Sequence, residues 1–125
     1  MGAALAVAGT TMQGLFKNPM ADPYIMGISS GAALGAILTI VFGLNIFGMY
    51  TIPLMAFICA AAAIFLVYNI ASVRGKLPVS TLLLAGIAMT LFLSAIISFL
   101  MYTAGEQLHG IVFWLMGGLW GRNWN

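Results

Sequence analysis

The sequence predicts an all-α fold, a polytopic membrane helix bundle with about four transmembrane helices and one short re-entrant or interfacial helix. Three observations lead there. Hydrophobic residues make up 63% of the 125 positions and charged residues only 5%, whereas a soluble domain carries about a quarter charged residues. Mean hydropathy is +1.13. Long apolar runs such as Leu54 to Val67 lack the alternation that a membrane barrel strand requires, so the backbone must satisfy its hydrogen bonds as helix.

A bilayer core is crossed by about 20 apolar residues of straight helix, and by fewer where the helix is short or buried among others. Segments of roughly 2–16, 27–43, 53–70 and 81–103 meet or approach that length. The run from Leu108 to Leu119 is about a dozen residues and suits a re-entrant or interfacial helix. The first segment is not read as a signal peptide, because it has no positive n-region and further spans follow. Ala6 occupies the position where a myristoylation motif wants Ser or Thr.

Between the first two segments runs QGLFKNPMADPYIMGISSGAALG, Gln13 to Gly35. Pro19 and Pro23 have no amide hydrogen and disfavour helical geometry at Asn18 and Asp22, which disfavours a single continuous helix from Leu5 to Leu38. Lys17, Asn18 and Asp22 supply polar groups at the break. It is either an ordinary interhelical turn or a loop closing one end of a channel, since irregular backbone at membrane depth is tolerated against protein or a water-filled path. Gly27, Gly31 and Gly35 follow at four-residue spacing, which clears a helix face for close approach. Packing is the simpler use of that face, and a ligand is the alternative. Ser29 and Ser30 stand where they would cap the free amides of this helix.

The fourth segment carries Gly86, Thr90, Ser94 and Ser98 as a slowly drifting stripe. Their hydroxyls either bond within the bundle or line a pathway. Cys59 lies alone inside an apolar run and reads as a packing residue, and the nine methionines read as lipid-facing or packing residues. Asp22 and Glu106 both fall in connecting segments, so neither is placed as an intramembrane proton relay. No phosphate-binding loop is present, one His and one Cys make no metal cluster, and the net charge of +2 offers no nucleic-acid surface. No cofactor and no metal are expected.

Charge then orients the bundle. Lys17 follows the first segment and Arg74 and Lys76 follow the third, while the link Gly43 to Ile52 has no charge. The positive-inside rule makes the Lys17 and Arg74 side cytoplasmic and places the N-terminus of this chain outside. Glu106 and His109 then fall outside, with Arg122 near that face or on a returning segment.

Three blocks in order carry a family resemblance: GAALAVAGTTMQGLFKNPMADPYIMGISSGAALGA, then LLLAGIAM at Leu82 to Met89, then FWLMGGLWGRNW at Phe113 to Trp124. The sequence resembles the FecCD or BtuC-like permeases, the transmembrane subunits of ABC importers for iron chelates, haem and cobalamin. The resemblance implies a cell-membrane, multi-pass chain covering roughly helices two to five of a permease with about ten. It implies alternating access, a second permease subunit or missing permease half, cytoplasmic ATPase subunits and an extracytoplasmic substrate-binding protein. ATP hydrolysis would belong to a partner, and the permease is no enzyme. It further implies a cytoplasmic gate formed by Asn18 and Met20 in one loop and by Val79 and Ser80 in the other, and a half-helix at the outer mouth before Gly117 and Gly118. An iron siderophore is the expected cargo, with haem, cobalamin and other metal chelates as alternatives. Residues 1–125 are thus expected to be a partial permease domain without the family's first helix, last five helices and ATPase-coupling segment. The other reading is a truncated, nonfunctional or purely structural membrane remnant.

Overall fold

The computed structural model describes residues 1–117. It contains five α-helices: α1, Gly2–Phe16; α2, Ile28–Val41; α3, Thr51–Ala71; α4, Val79–Thr103; and α5, Leu108–Leu115. Short 3₁₀ turns at Pro23–Met26, Gly48–Tyr50 and Gly105–Gln107 precede α2, α3 and α5. No strand occurs among the described residues; a lone antiparallel bridge pairs Val73 with Lys76. The chain is an all-α membrane bundle. The expected end of the short helix, residues 118–119, and the returning Arg122 lie outside the described residues, as does Gly118.

The helix limits follow from local chemistry. Pro53 lies in the first turn of α3, where no intrahelical partner awaits its missing amide, so the helix starts ahead of it at Thr51. Pro78 takes the extended cap position before α4. At the end of α2, Gly43 has φ of 60°; its amide reaches the Ile40 carbonyl at 3.2 Å and the Leu44 amide reaches the Thr39 carbonyl at 3.0 Å. This paired closure is the Schellman motif, and it stops the helix at Val41.

At 1.5 Å per residue, the 21 residues of α3 and the 25 of α4 extend about 31 and 37 Å, enough for a hydrocarbon core of about 30 Å. Both are long and apolar enough to cross a membrane. The 15 residues of α1 and 14 of α2 extend only about 22 and 21 Å as straight helices.

The closest pair is α2 against α3. A Cβ placed on Gly31 would lie 2.8 Å from the Ala63 Cβ and 2.9 Å from the Cys59 carbonyl oxygen; one on Gly35 would meet the Met55 carbonyl and lie 2.9 Å from the Cys59 Cβ. The backbones therefore touch directly, as small residues permit in lipid. These contacts also set an antiparallel register. Val41 and Thr51 fall at one end, whereas the last two turns or so of α3 run on past the start of α2.

Material from the helix break fills that space. Ala21 and Met26 pack with Met12 of α1, Val67 and Ala71 of α3, and Leu82 and Ala85 of α4 in one buried cluster, flanked by Phe16, Ile28 and Met89. At the opposite end α5 rests on α2. Ile111 is completely buried there, and the missing Cβ of Gly110 leaves 3.9 Å to the Ile40 Cγ2.

Candidate functional site: two links at one end of the bundle

Helix α1 ends in a left-handed residue that is not glycine. Lys17 has φ of 49°; its amide reaches the Gly14 carbonyl at 3.4 Å and the Asn18 amide reaches the Gln13 carbonyl at 3.1 Å. A Schellman closure thus turns the chain out of α1, although lysine pays a steric cost in this conformation that glycine would not.

The backbone that follows is tied down residue by residue. The Gln13 side-chain amide donates to the Pro19 carbonyl at 2.9 Å. The Met20 amide donates to the Asn18 Oδ1 at 2.9 Å, and the Ala21 amide to the Asn18 carbonyl at 3.1 Å. Asp22 then caps the 3₁₀ turn, its Oδ1 accepting from the Tyr24 amide at 2.9 Å with Pro23 behind it. Such a cap contributes about 1 kcal/mol. Polar side chains here replace the helical bonds that the two prolines remove. Asn18 and Met20 form the exposed tip, with Met20 83% accessible, while Ala21 turns back into the buried cluster.

The second link is a tight reversal. Arg74 and Gly75 have φ of 52° and 74°, and Val73 and Lys76 exchange amide-to-carbonyl bonds of 2.9 Å in both directions. Two consecutive positive φ values match the two-residue hairpin turn whose twist suits such a pair. Val79 and Ser80 follow in the first turn of α4, both exposed. The two links occupy the same end of the bundle, because the C-terminal parts of α1 and α3 and the N-terminal part of α4 share one cluster. Lys17, Arg74 and Lys76 bring three basic side chains to that end, all exposed.

The three sequence glycines divide. Gly31 and Gly35 face α3, but Gly27 faces α4: it has φ of 76°, and a Cβ on it would lie 3.3 Å from Met89 Cγ and 3.5 Å from Thr90 Oγ1. It joins the 3₁₀ turn to α2 rather than lying within the helix. The stripe on α4 divides as well. Gly86 is buried and Thr90 half-buried, whereas Ser94 and Ser98 are exposed. Thr90 Oγ1 donates to the Gly86 carbonyl and Ser98 Oγ to the Ser94 carbonyl, each at 2.9 Å, so these hydroxyls are satisfied within their own helix.

Ser29 and Ser30 do not cap α2. The helix begins from Gly27 with no side-chain cap, and the Gly31 amide takes the Gly27 carbonyl at 2.9 Å. Gly27 is itself the cap residue of α2, so both serines stand inside the first turn, while Asp22 caps the separate 3₁₀ turn ahead of it. The signal was present in the sequence as an Asp-Pro pair, acid before a proline at the first helical position.

Long apolar helices in direct backbone contact, with a polar helix break packed among them, define a polytopic helical membrane protein. Comparison with known proteins then identifies the family: residues 1–125 match the FecCD transport family, and the chain belongs to it. The chain is 44% identical over its whole length to a cobalamin import system permease protein, BtuC, of Halobacterium salinarum, covering 33% of that protein. It is 37% identical to the molybdate import system permease protein MolB of Haemophilus influenzae, over 99% of this chain and 36% of that one. A solved metal-chelate type ABC transporter in an inward-facing conformation superposes with a TM-score of 0.78 at 36% identity, over 93% of this chain and 36% of its own. The chain spans about a third of the length of these relatives.

Proposed function

We propose that this chain is the portion of an ABC-importer permease that carries both halves of the cytoplasmic gate, and that the importer moves a metal chelate into the cell by alternating access. The observation that carries this reading is the break between α1 and α2. It is irregular backbone set beside the last turns of a helix long enough to span the bilayer, with the Gln13, Asn18 and Asp22 side chains bonded to it and Ala21 and Met26 packed on two other helices. Irregular backbone at such depth belongs against protein or a water-filled path. Asn18 and Met20 on one link and Val79 and Ser80 on the other are the proposed gate residues. Ser94 and Ser98, exposed in this chain, are proposed to face the pathway, with Gly86 and Thr90 continuing the stripe toward the gate. The proposed packing glycines are Gly31 and Gly35, which face α3, and Gly27, which faces α4.

The basic residues at the gate end favour a cytoplasmic position for it and an outer position for the N-terminus of the chain. The proposed partners are a second permease subunit or further permease helices, ATPase subunits on the basic side, and a binding protein on the opposite side. One relative is named for cobalamin, in which a ring ligand chelates the metal, and that name supports a chelate cargo; another is named for molybdate, a bare oxyanion. Cobalamin is the first cargo to test, ahead of an iron siderophore.

The test is uptake of labelled cobalamin, and of a ferric siderophore in parallel, by the importer that contains this sequence, reconstituted with its ATPase and binding protein. ATP-dependent accumulation of either chelate is expected. Accumulation of neither, with the complex assembled and hydrolysing ATP, would favour the structural remnant.

A further inference from the structure

Gly86 lies about two turns into α4, and what faces it is backbone. A Cβ there would run into the Ile25 carbonyl and lie 3.0 Å from the Met26 Cα. No side-chain rotation relieves such a contact. On the next turn, Met89 and Thr90 close on Gly27, and the Thr90 hydroxyl is held in place by its bond to the Gly86 carbonyl. Leu82 and Ala85 of α4 meet Ala21 and Met26 in the buried cluster. The 3₁₀ turn Pro23–Met26 therefore sits in a shallow groove on α4 that exists because residue 86 has no side chain.

The turn touches α4 more extensively than α2, and α2 more than α1. On its two sides the chain passes through left-handed joints, Lys17 with φ of 49° and Gly27 with φ of 76°. Meanwhile α4 itself begins with Val79 and Ser80. One helix thus carries the second candidate gate on its first turn and, two turns later, seats the 3₁₀ turn that follows the first, with Ala21 between them in the shared buried cluster.

We infer that Gly86 is a positioning residue that fastens the Pro23–Met26 turn to α4, so that Asn18–Met20 and Val79–Ser80 move as one body. The word gate rests on the permease reading, whereas the fastening rests on packing alone. The two links of one subunit then open and close together. Their separation within that subunit stays constant while each moves relative to the other permease subunit.

Paired spin labels test this in the assembled importer, with Cys59→Ala and every other reactive cysteine of the complex replaced as background and Met20→Cys and Ser80→Cys in one subunit. Pulsed electron resonance should give one narrow Met20–Ser80 distance distribution, unchanged between the nucleotide-free and ATP-bound complex. A distance that changes with nucleotide would overturn the inference, and this measurement needs no change at Gly86. Gly86→Ala, at unchanged membrane level, should broaden and shift the same distribution, while Gly9→Ala, where a Cβ meets nothing within 4 Å, should not. A distribution in Gly86→Ala as narrow and as centred as the parent's would also overturn it. If labels on the two permease subunits show no nucleotide response while the distance within one subunit stays narrow and Gly86→Ala broadens it, the fastening is upheld and the permease reading alone fails.

Discussion

Replacing Gly35 with leucine is expected to separate α2 from α3 and to remove most of the folded protein from the membrane. The added side chain would begin on top of the Met55 carbonyl, whose carbon would lie 2.8 Å from the new Cβ, and 2.9 Å from the Cys59 Cβ. Overpacking a buried site costs about 1–3 kcal/mol when neighbours can adjust. Here the obstruction is helical backbone, which moves only if the whole helix moves, so the upper end of that range, about 3 kcal/mol, is the expected minimum. Gly31→Leu should behave alike, because Ala63 and the Cys59 carbonyl confront it. The control is Gly9→Ala, with nothing within 4 Å of the new methyl. It should gain about 0.5–1 kcal/mol through helix propensity. Thermal unfolding of the purified protein in detergent, followed by circular dichroism, reads both; equal midpoints for Gly35→Leu and Gly9→Ala would refute the close helix contact.

Placing tryptophan at both Asn18 and Ser80 is expected to abolish most ATP-driven uptake while leaving the protein in the membrane. Both positions are exposed, so bulk there meets no folded core and the bundle should assemble. In a closing passage the effect is different. A tenfold loss of rate needs only about 1.4 kcal/mol of added barrier, and one tryptophan brings 150–250 Å² of side-chain surface to be accommodated. A loss of at least about tenfold is therefore expected from the pair. Asn18→Ala separates bulk from hydrogen bonding: it removes only the Oδ1 bond to the Met20 amide, at an exposed tip where water substitutes, and a much smaller loss should result. Uptake unchanged in the double tryptophan variant would refute the gate assignment.

Much of this arrangement was legible in the residues because it depends on backbone chemistry. Pro19 and Pro23 dictate a break wherever they stand, and Gly31 with Gly35 mark a close-packed face whatever the partner. What periodicity could not reveal was the partner of each glycine. Gly27 continues the four-residue spacing, yet the 3₁₀ turn and its left-handed φ rotate it out of the α2 face toward α4. Ser29 and Ser30 have the chemistry of caps but stand inside the helix, because α2 already begins at Ile28 with Gly27 as its cap residue. The α4 stripe illustrates the same limit. Gly86 and Ser98 share one spacing pattern, and only the docking of Met26 on Gly86 makes one end buried and leaves the other open.

In the proposed permease, the break from Lys17 to Gly27 forms the cytoplasmic end of the transport path. Side-specific thiol labelling tests it most directly. With Cys59→Ala as background, Met20→Cys and Phe47→Cys are each exposed to a membrane-impermeant maleimide in right-side-out and in inverted membrane vesicles. Met20 and Phe47 are 83% and 60% accessible and lie on links at opposite ends of the bundle. Met20→Cys should react only in inverted vesicles and Phe47→Cys only in right-side-out ones. Reaction of Met20→Cys from the outside alone, or of both cysteines from the same side, would contradict the claim.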